Sequence, residues 1–212
     1  MSRPVLVLGT GNRKKLGELV VLLRVLEVDL KSLADFPDAI AVEETGDSFA
    51  SNAALKATLQ ARHLGHWVLG EDSGLAVDAL RGAPGIFSAR YSDPGANDDR
   101  NNLKLLGELH GVPAELRTAH YVCHATLADP AGAVRADAEG WCQGRLRLEC
   151  AGVGGFGYDP LFEIVEYHRT FGELAEEVKA MLSHRARAIR RMIPAMMRLI
   201  DSGQWSPPSG EI

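Results

Sequence analysis

The stretch Val5-Leu6-Val7-Leu8-Gly9-Thr10-Gly11-Asn12 decides the fold class of this chain. Its four consecutive apolar residues predict a buried strand, and the glycines behind them are typical of a turn. An amphipathic helix is predicted next, because apolar residues recur at the i, i+3, i+4, i+7 spacing: Leu16, Leu19, Val20 and Leu23. A strand, a glycine turn and a helix in this order predict an α/β protein.

The middle of the chain predicts a second helix, a strand and a third helix. Alanine-rich residues over about 48–64 indicate a helix, with a candidate N-cap at Asp47-Ser48. The apolar run Trp67-Val68-Leu69 indicates a buried strand, and a helix is predicted over about 98–110. Residues 82–98 are rich in Gly, Pro, Ser and Asp, so we expect a long structureless loop with a functional role.

A β-hairpin and a last helix are predicted in the second half. Apolar and polar residues alternate over 118–127 and 134–138, on either side of the turn Asp129-Pro130-Ala131-Gly132. This alternation indicates two paired strands with one buried face. An Arg-rich amphipathic helix is expected over about 183–200, followed by a loose tail over 204–212. These elements predict an α/β fold with a mixed β-sheet flanked by helices.

The composition excludes several classes of protein. The chain has 212 residues and a net charge of -5, which argues against nucleic-acid binding because that needs a basic surface. No apolar run approaches the length of a membrane helix. Three cysteines without a close-spaced pair, Cys123, Cys142 and Cys150, argue against a zinc site and indicate reduced thiols in the cytoplasm. No linker interrupts residues 1–203, so a single domain is expected there.

The first candidate site is Thr10-Gly11-Asn12-Arg13-Lys14-Lys15, at the predicted turn from strand to helix. Backbone N–H groups at a helix N-terminus bind anions, and the lysines add full positive charge. The alternative is an ordinary glycine turn before a solvated basic helix start, which is the commoner origin of a short glycine motif. The spacing from glycine to lysine excludes a Walker A loop.

Two acidic clusters form the second candidate site. Glu43-Glu44-Thr45-Gly46-Asp47 precedes the second helix, whose dipole alone accounts for carboxylates there. Glu71-Asp72-Ser73-Gly74 comes after the apolar run at 67–69, and an ionised carboxylate is costly to bury unless it is paired or bound to a cation. Together the clusters offer oxygen ligands for Mg²⁺, which takes one or two carboxylates plus substrate phosphates. A polar turn between two strands is the alternative.

The third candidate site has two parts, Gly154-Gly155-Phe156-Gly157-Tyr158-Asp159-Pro160 and Lys179 with Ser183-His184-Arg185. An aromatic side chain in a glycine-rich loop can stack on a nucleobase, and His and Arg can donate to a keto oxygen. Taken singly, the parts are equally typical of a β-turn with a core Phe and of a capped helix with surface charges. Together with the turn and the acidic clusters, they predict a site for a nucleotide polyphosphate with magnesium.

Seven segments resemble, in order, the motifs of the Ham1-like inosine/xanthosine triphosphate pyrophosphatases. They are Thr10-Gly11-Asn12-x-x-Lys15, Glu43-Glu44-Thr45-Gly46, Asn52-Ala53-x-x-Lys56-Ala57, Glu71-Asp72-Ser73-Gly74-Leu75, Gly82-Ala83-Pro84-Gly85-Ile86-x-Ser88-Ala89-Arg90-Tyr91, Gly155-Phe156-Gly157-Tyr158-Asp159-Pro160 and Lys179-x-x-x-Ser183-His184-Arg185. One such motif is weak support, but seven in order over most of the chain are highly specific.

The resemblance implies a long mixed sheet and two lobes with a nucleotide cleft between them. It also implies hydrolysis of deaminated purine nucleoside triphosphates (ITP, dITP, XTP) to the monophosphate and pyrophosphate. Family members require Mg²⁺ and form homodimers, so both are expected of this chain.

Residue by residue, the resemblance assigns Asp72 as proton acceptor and, with Glu43, as magnesium ligand. The phosphates would contact Thr10, Gly11, Asn12, Arg13, Lys14 and Lys15, with Lys56 nearby. Ser73 would touch the substrate, and its sugar and base would contact Phe156, Gly157, Tyr158, Asp159, Lys179, His184 and Arg185.

Three departures and two alternative functions stand beside this assignment. Glu71 replaces an Asp that many members carry, Arg145 replaces an aliphatic residue, and the tail after Asp201 is atypical of the family; we expect little effect of any of them on the chemistry. The alternatives are a Maf-like pyrophosphatase of other modified nucleotides and a non-catalytic nucleotide-binding module. The motifs around Phe156 and His184 favour the purine enzyme over the first. The two predicted metal ligands argue against the second.

Overall fold

The computed structural model describes residues 3–205. The elements in that range are β1 (Val5–Leu8), α1 (Arg13–Leu23), β2 (Asp29–Ser32), α2 (Phe49–Leu64), β3 (Trp67–Val77), α3 (Asp98–Glu108), β4 (Thr118–Ala128), β5 (Val134–Leu146), β6 (Phe162–Ile164), β7 (Arg169–Thr170), α4 (Glu176–Leu182) and α5 (His184–Asp201), together with short 3-10 helices. No helix in that range is long and apolar enough to span a membrane.

The strands form one seven-stranded sheet in the order β2-β1-β3-β4-β5-β6-β7. Strand β1 pairs in parallel with β2 and β3, whereas β6 pairs antiparallel with β5 and β7. Strands β4 and β5 are neighbours joined only by residues 129–133, and so short a connection joins antiparallel strands. The predicted α/β fold with a mixed sheet and a hairpin is therefore confirmed.

Helix α2 has well-defined ends that the sequence partly predicts. Ser48, the second of the two candidate caps, accepts the backbone N–H of Ser51 with its side chain and so satisfies one of the first N–H groups. Gly65 ends the helix in the left-handed conformation, with φ of 65°. These caps fix the helix that carries Asn52 and Lys56.

Within the described residues the chain divides into two compact units. The first comprises 3–72, 123–140 and 185–205. Its main core is aliphatic and is formed by β1, α1, β3, β4 and α5, with Leu6, Leu19, Leu69 and Ile189 fully buried. The helical repeat of α1 and the alternation of β4 both direct their apolar residues into this core.

The second unit comprises 73–122 and 141–184. Its core is richer in aromatic residues: the rings of Tyr121 and Phe162 lie 4.6 Å apart, and those of Phe162 and Phe171 lie 5.5 Å apart. Such ring pairs stabilise the fold beyond the contribution from burying their apolar surface.

Three expectations about local structure are wrong. The strand predicted at 67–69 continues to Val77, so Glu71 and Asp72 lie inside β3 rather than after a strand. The region 82–98 is not structureless, because Gly85–Arg90 forms a 3-10 helix in which the Ser88 hydroxyl donates to the Gly85 carbonyl at 2.6 Å. The tail expected to be loose, 204–212, contains a packed residue at its second position.

That residue is Trp205, which is only 2% exposed. Its ring stacks on Trp67 with centroids 4.6 Å apart, and its indole N–H donates to the Val5 carbonyl at 3.3 Å. Residues 206–212, the rest of the expected tail, lie outside the described residues.

Candidate active site

The turn between β1 and α1 presents cationic side chains at a helix N-terminus. The Asn12 side chain accepts the backbone N–H groups of Lys14 at 3.0 Å and Lys15 at 3.2 Å, and the Asn12 N–H donates to the Thr10 hydroxyl at 3.2 Å. Arg13 and Lys14 are exposed. Since the positive end of the helix dipole adds to these side chains, the turn has the electrostatics of an anion site.

Glu71 is a buried carboxylate held by cations from two helices. The ammonium of Lys15, in α1, lies 3.0 Å from Oε1, and a guanidinium nitrogen of Arg185, in α5, lies 3.3 Å from Oε2. Arg185 is itself fully buried and also pairs with Glu18. Burial alone raises the pKa of Glu71, but Arg185 and Lys15 outweigh it and hold the pKa well below its ordinary value. Glu71 therefore ties α1 and α5 to β3.

Asp72 contacts a different set of groups, because adjacent residues of a strand point to opposite faces. The Lys56 ammonium lies 3.0 Å from Oδ1, and the Asn52 amide donates to Oδ2 at 3.2 Å. Asn52 and Lys56 are four residues apart and therefore lie on one face of α2. Lys56 also lies 2.9 Å from Oε1 of Glu44.

The pKa values of this pair suit a proton acceptor beside a fixed cation. Burial raises the pKa of Asp72, and Lys56 offsets that only in part. Burial lowers the pKa of Lys56, but Asp72 and Glu44 together outweigh it and raise that pKa. Lys56 thus stays charged, whereas Asp72 is a stronger base than an ordinary aspartate.

Four carboxylates lie among the cationic side chains of this region. The cationic side chains are Lys15, Lys56 and Arg185, and the carboxylates are Glu18, Glu44, Glu71 and Asp72. A polyanionic ligand close to these carboxylates is repelled unless a further cation is present. A divalent cation would supply that charge.

The oxygen donors fit Mg²⁺ as a metal shared with the substrate. Glu44 and Asp72 place carboxylates on the same lysine ammonium. Within residues 3–205, no three His, Cys, Asp or Glu side chains form a group that could hold a metal by themselves. Mg²⁺ commonly takes one or two carboxylates and completes its shell with water and phosphates. Glu43, the predicted ligand, is exposed next to Glu44, and its role stays a prediction.

In the second unit, Asp159 organises the glycine-rich loop. One of its oxygens, Oδ2, accepts the Phe156 N–H at 2.7 Å and lies 2.6 Å from the Lys179 ammonium. Gly155 has φ of 72°, and a Cβ there would collide with the Asp159 carboxylate. The same lysine lies 4.3 Å from the centre of the Phe156 ring. Loop, aspartate and lysine therefore form one cluster around an aromatic ring.

Tyr121 and His184 extend this cluster. The Tyr121 hydroxyl donates to Oδ1 of Asp159 at 3.3 Å, and the His184 ring stacks on Tyr121 with centroids 4.6 Å apart. Burial, reinforced by the charge of Asp159, raises the pKa of Tyr121 well above its ordinary value, so the phenol stays a neutral donor. The alternating pattern of β4 predicts Tyr121 only as a core residue, although a buried phenol needs a polar partner.

The predicted site residues are divided between the two units. The first unit holds Thr10, Gly11, Asn12, Arg13, Lys14, Lys15, Glu43, Lys56, Asp72 and Arg185. The second unit holds Ser73, Phe156, Gly157, Tyr158, Asp159, Lys179 and His184. Sequence reasoning gave no role to three residues that contact these groups: Glu18, Asn52 and Tyr121.

The amino-acid sequence matches known proteins over most of its length. A profile of the Ham1 family matches residues 6–195. The chain is 54% identical over 201 residues to a dITP/XTP pyrophosphatase of Rhodopirellula baltica, covering 95% of this chain and 97% of that protein. It is 45% identical over 194 residues to a dITP/XTP pyrophosphatase of Desulforamulus reducens, covering 92% and 96%.

Solved structures agree with these matches. A HAM1 protein from Coxiella burnetii superimposes with a TM-score of 0.84 at 34% identity, covering 92% of this chain and 99% of that one. A nucleoside-triphosphatase / dITP/XTP pyrophosphatase from Mycobacterium abscessus gives a TM-score of 0.72 at 40% identity, covering 91% and 99%.

Proposed function

Because the chain belongs to the Ham1 family, we propose that it hydrolyses the deaminated purine nucleoside triphosphates ITP, dITP and XTP to the monophosphate and pyrophosphate. The observation that carries this proposal is the buried Asp72 of β3, which Lys56 and Asn52 hold in place and whose pKa is raised. The protein thereby acts as a pyrophosphatase that removes deaminated purine triphosphates from the cellular nucleotide pool.

Asp72 acts as the proton acceptor for the attacking water. A carboxylate with a raised pKa takes a proton more readily, and the Lys56 ammonium fixes its orientation. Phosphoryl transfer depends mainly on positioning and on neutralising charge. Lys15 and Lys56, with Arg13 and Lys14 at the start of α1, supply that positive charge to the triphosphate.

Asp72 also holds Mg²⁺, with Glu43 or its neighbour Glu44 as the second carboxylate. When bound, the metal neutralises phosphate charge and polarises the reacting phosphorus. The pairing of Lys15, Lys56 and Arg185 with carboxylates supports the need for this cation, since it reduces the positive charge that these side chains can offer to the triphosphate.

The base is recognised by the aromatic cluster of the second unit. Phe156 offers a ring for stacking, with the sugar close to Tyr158, Asp159 and Lys179. Hypoxanthine and xanthine carry a keto oxygen at C6 that accepts from His184, where the amino group of adenine would leave that donor unpaired. Each unpaired buried donor costs about 1–3 kcal/mol, which favours the deaminated bases over adenine.

A panel of nucleotides with magnesium tests the proposal. We expect ITP, dITP and XTP to be cleaved far faster than ATP or GTP, with pyrophosphate as the released product. Chelation with EDTA should abolish turnover and added Mg²⁺ should restore it. Release of single orthophosphate, or equal rates for all bases, would contradict the proposal.

We further propose a cytoplasmic homodimer. Cys123, Cys142 and Cys150 form no disulfide among the described residues, which suits a reducing compartment, and the dimer rests on the family resemblance alone. Sedimentation equilibrium on the purified protein should give twice the mass of one chain. A monomeric mass at micromolar concentration would exclude a stable dimer.

A further inference from the structure

Helix α3 contacts the aromatic loop at the backbone of one residue, Gly157. The Gly157 N–H donates to the Asp98 carboxylate at 2.8 Å, and the Gly157 carbonyl accepts from the Asn102 amide at 2.9 Å. Asp98 and Asn102 are four residues apart and therefore lie on the same face of α3. The helix thus grips the N–H and the C=O of the same loop residue.

These two hydrogen bonds hold the part of the loop whose backbone has the most conformational freedom. Phe156 stands between Gly155 and Gly157, which have φ of 72° and 63°. Glycine has the widest choice of backbone conformations, so a ring between two glycines is poorly fixed by the chain itself. Its position depends on the hydrogen bonds that hold the flanking backbone.

Asn102 is a destabilising residue at its position unless its hydrogen bond to Gly157 is needed. It is 5% exposed, and its Oδ1 accepts no hydrogen bond among the described residues. A buried unsatisfied carbonyl is destabilising, and an apolar side chain of similar size would avoid that cost. The amide that donates to Gly157 is thus the specific contribution of Asn102.

We infer that Asp98 and Asn102 are positioning residues that hold Phe156 where the purine base binds. The inference rests on the proposed function. Neither residue is assigned a substrate contact; both act through the two peptide groups that flank the Gly157 Cα. Since a stacked base is held in the ground state and the transition state alike, loosening the ring weakens binding without changing the chemical step.

Three variants test the inference by steady-state kinetics with ITP. Asp98→Ala and Asn102→Leu each remove one hydrogen bond, so KM should rise about tenfold with kcat unchanged. Asn102→Leu removes the buried unsatisfied oxygen together with the amide that donates to Gly157. These two effects oppose each other, so the melting temperature should stay close to that of the wild type. Asp98→Asn retains an acceptor oxygen and should restore KM. The matched control is Asp99→Ala, which removes the same charge from the same exposed helix turn.

Hydrogen exchange of the peptide covering 154–159 gives a readout that does not depend on activity. Exchange should be faster in Asp98→Ala and Asn102→Leu than in the wild type and in Asp99→Ala. Unchanged KM and unchanged hydrogen exchange in both Asp98→Ala and Asn102→Leu would overturn the inference. A KM for Asp98→Asn as high as that for Asp98→Ala would also overturn it. If the wild type cleaves no deaminated purine triphosphate, the proposed function fails instead, and the exchange data still report whether α3 holds the loop.

Discussion

At the scale of single residues, the adjacent carboxylates of β3 have different surroundings, and the proposed function accordingly gives them different roles. Glu71 is surrounded by Lys15 and Arg185 and stays ionised, whereas Asp72 faces α2 and has a raised pKa. The strand alternation separates the two side chains. Glu71 organises the ion pairs, and Asp72 is available for chemistry.

Replacing Asp72 should lower turnover while leaving the fold stable. Asp72→Asn keeps the size of the side chain but removes the proton acceptor, so kcat for ITP should fall by about 10²–10⁴. Lys56 retains Glu44 as a partner, so the melting temperature should change little. The measurements are pyrophosphate release and thermal unfolding of the same preparation. Turnover near the wild-type value would show that Asp72 is not the proton acceptor.

Replacing Glu71 should affect stability more than catalysis. Glu71→Gln removes one partner of the buried Arg185, which should lower the free energy of unfolding by roughly 3–5 kcal/mol. Urea titration at neutral pH without added metal measures this loss, with Asp72→Asn as the matched substitution. If Glu71→Gln lowered the free energy of unfolding by less than Asp72→Asn does, Glu71 would not have the structural role assigned to it.

The same residue predicts a pH dependence. The folded pKa of Glu71 lies below its ordinary value of 4.5, so as pH falls the unfolded chain takes up this proton first. Stability from ionised Glu71 is complete above that value and is lost progressively below it. The unfolding free energy of the wild type should therefore fall more steeply with acidification than that of Glu71→Gln. Parallel curves would contradict the assigned pKa shift.

At the scale of elements, the sequence predicts those whose pattern is local. The apolar run of β1, the helical spacing of α1 and the alternation of β4 each specify an element without reference to the rest of the chain. The full length of β3 is not predictable in this way. Glu71 and Asp72 interrupt its apolar pattern, and partners distant in sequence, Arg185 and Lys56, make their burial possible.

The candidate site shows the same limit. The motifs identify Asp72, Lys56 and Phe156 as residues of interest, but the contacts of Glu44 and Tyr121 depend on packing between elements. Arg145 is another case: it departs from the family pattern, yet it pairs with the buried Glu163 at 2.9 Å. Its partner lies on a neighbouring strand, β6, which local patterns do not specify.

The contact between α2 and β3 gives a prediction at this scale. A Cβ on Gly70 would lie 2.5 Å from the Ala53 carbonyl oxygen and 2.6 Å from the Ala57 nitrogen, so the backbones of helix and strand meet there. Gly70→Ala must push α2 away from β3, and Lys56 away from Asp72. We expect a loss of about 1–3 kcal/mol in stability and a fall in kcat.

The matched control for that variant is Gly17→Ala in α1. A Cβ at Gly17 would meet nothing within 4 Å, so the change should stabilise the helix by about 0.5–1 kcal/mol. Denaturant unfolding and ITP turnover compare the two variants. Equal stability of Gly70→Ala and the wild type would mean that the two backbones are not in close contact.

At the scale of the whole molecule, each unit combines segments that are distant in the chain. The first unit needs residues 3–72, the 123–140 part of the hairpin and α5. Its core is complete only when the last helix has been added, since Ile189, Met192 and Met196 are buried in it. Stability of this unit should therefore depend strongly on contacts near the end of the described chain.

Trp205 gives the sharpest test of that dependence. It follows α5, stacks on Trp67 of β3 and donates to Val5 of β1, so one side chain joins the end of the described chain to two central strands. Trp205→Ala should lower the free energy of unfolding by about 3–5 kcal/mol. The matched control is Trp141→Ala, where the ring is 44% exposed and stacks on His120, and where about 1 kcal/mol is expected. Urea unfolding of both variants decides the question, and equal losses would show that Trp205 adds no more than a surface aromatic contact.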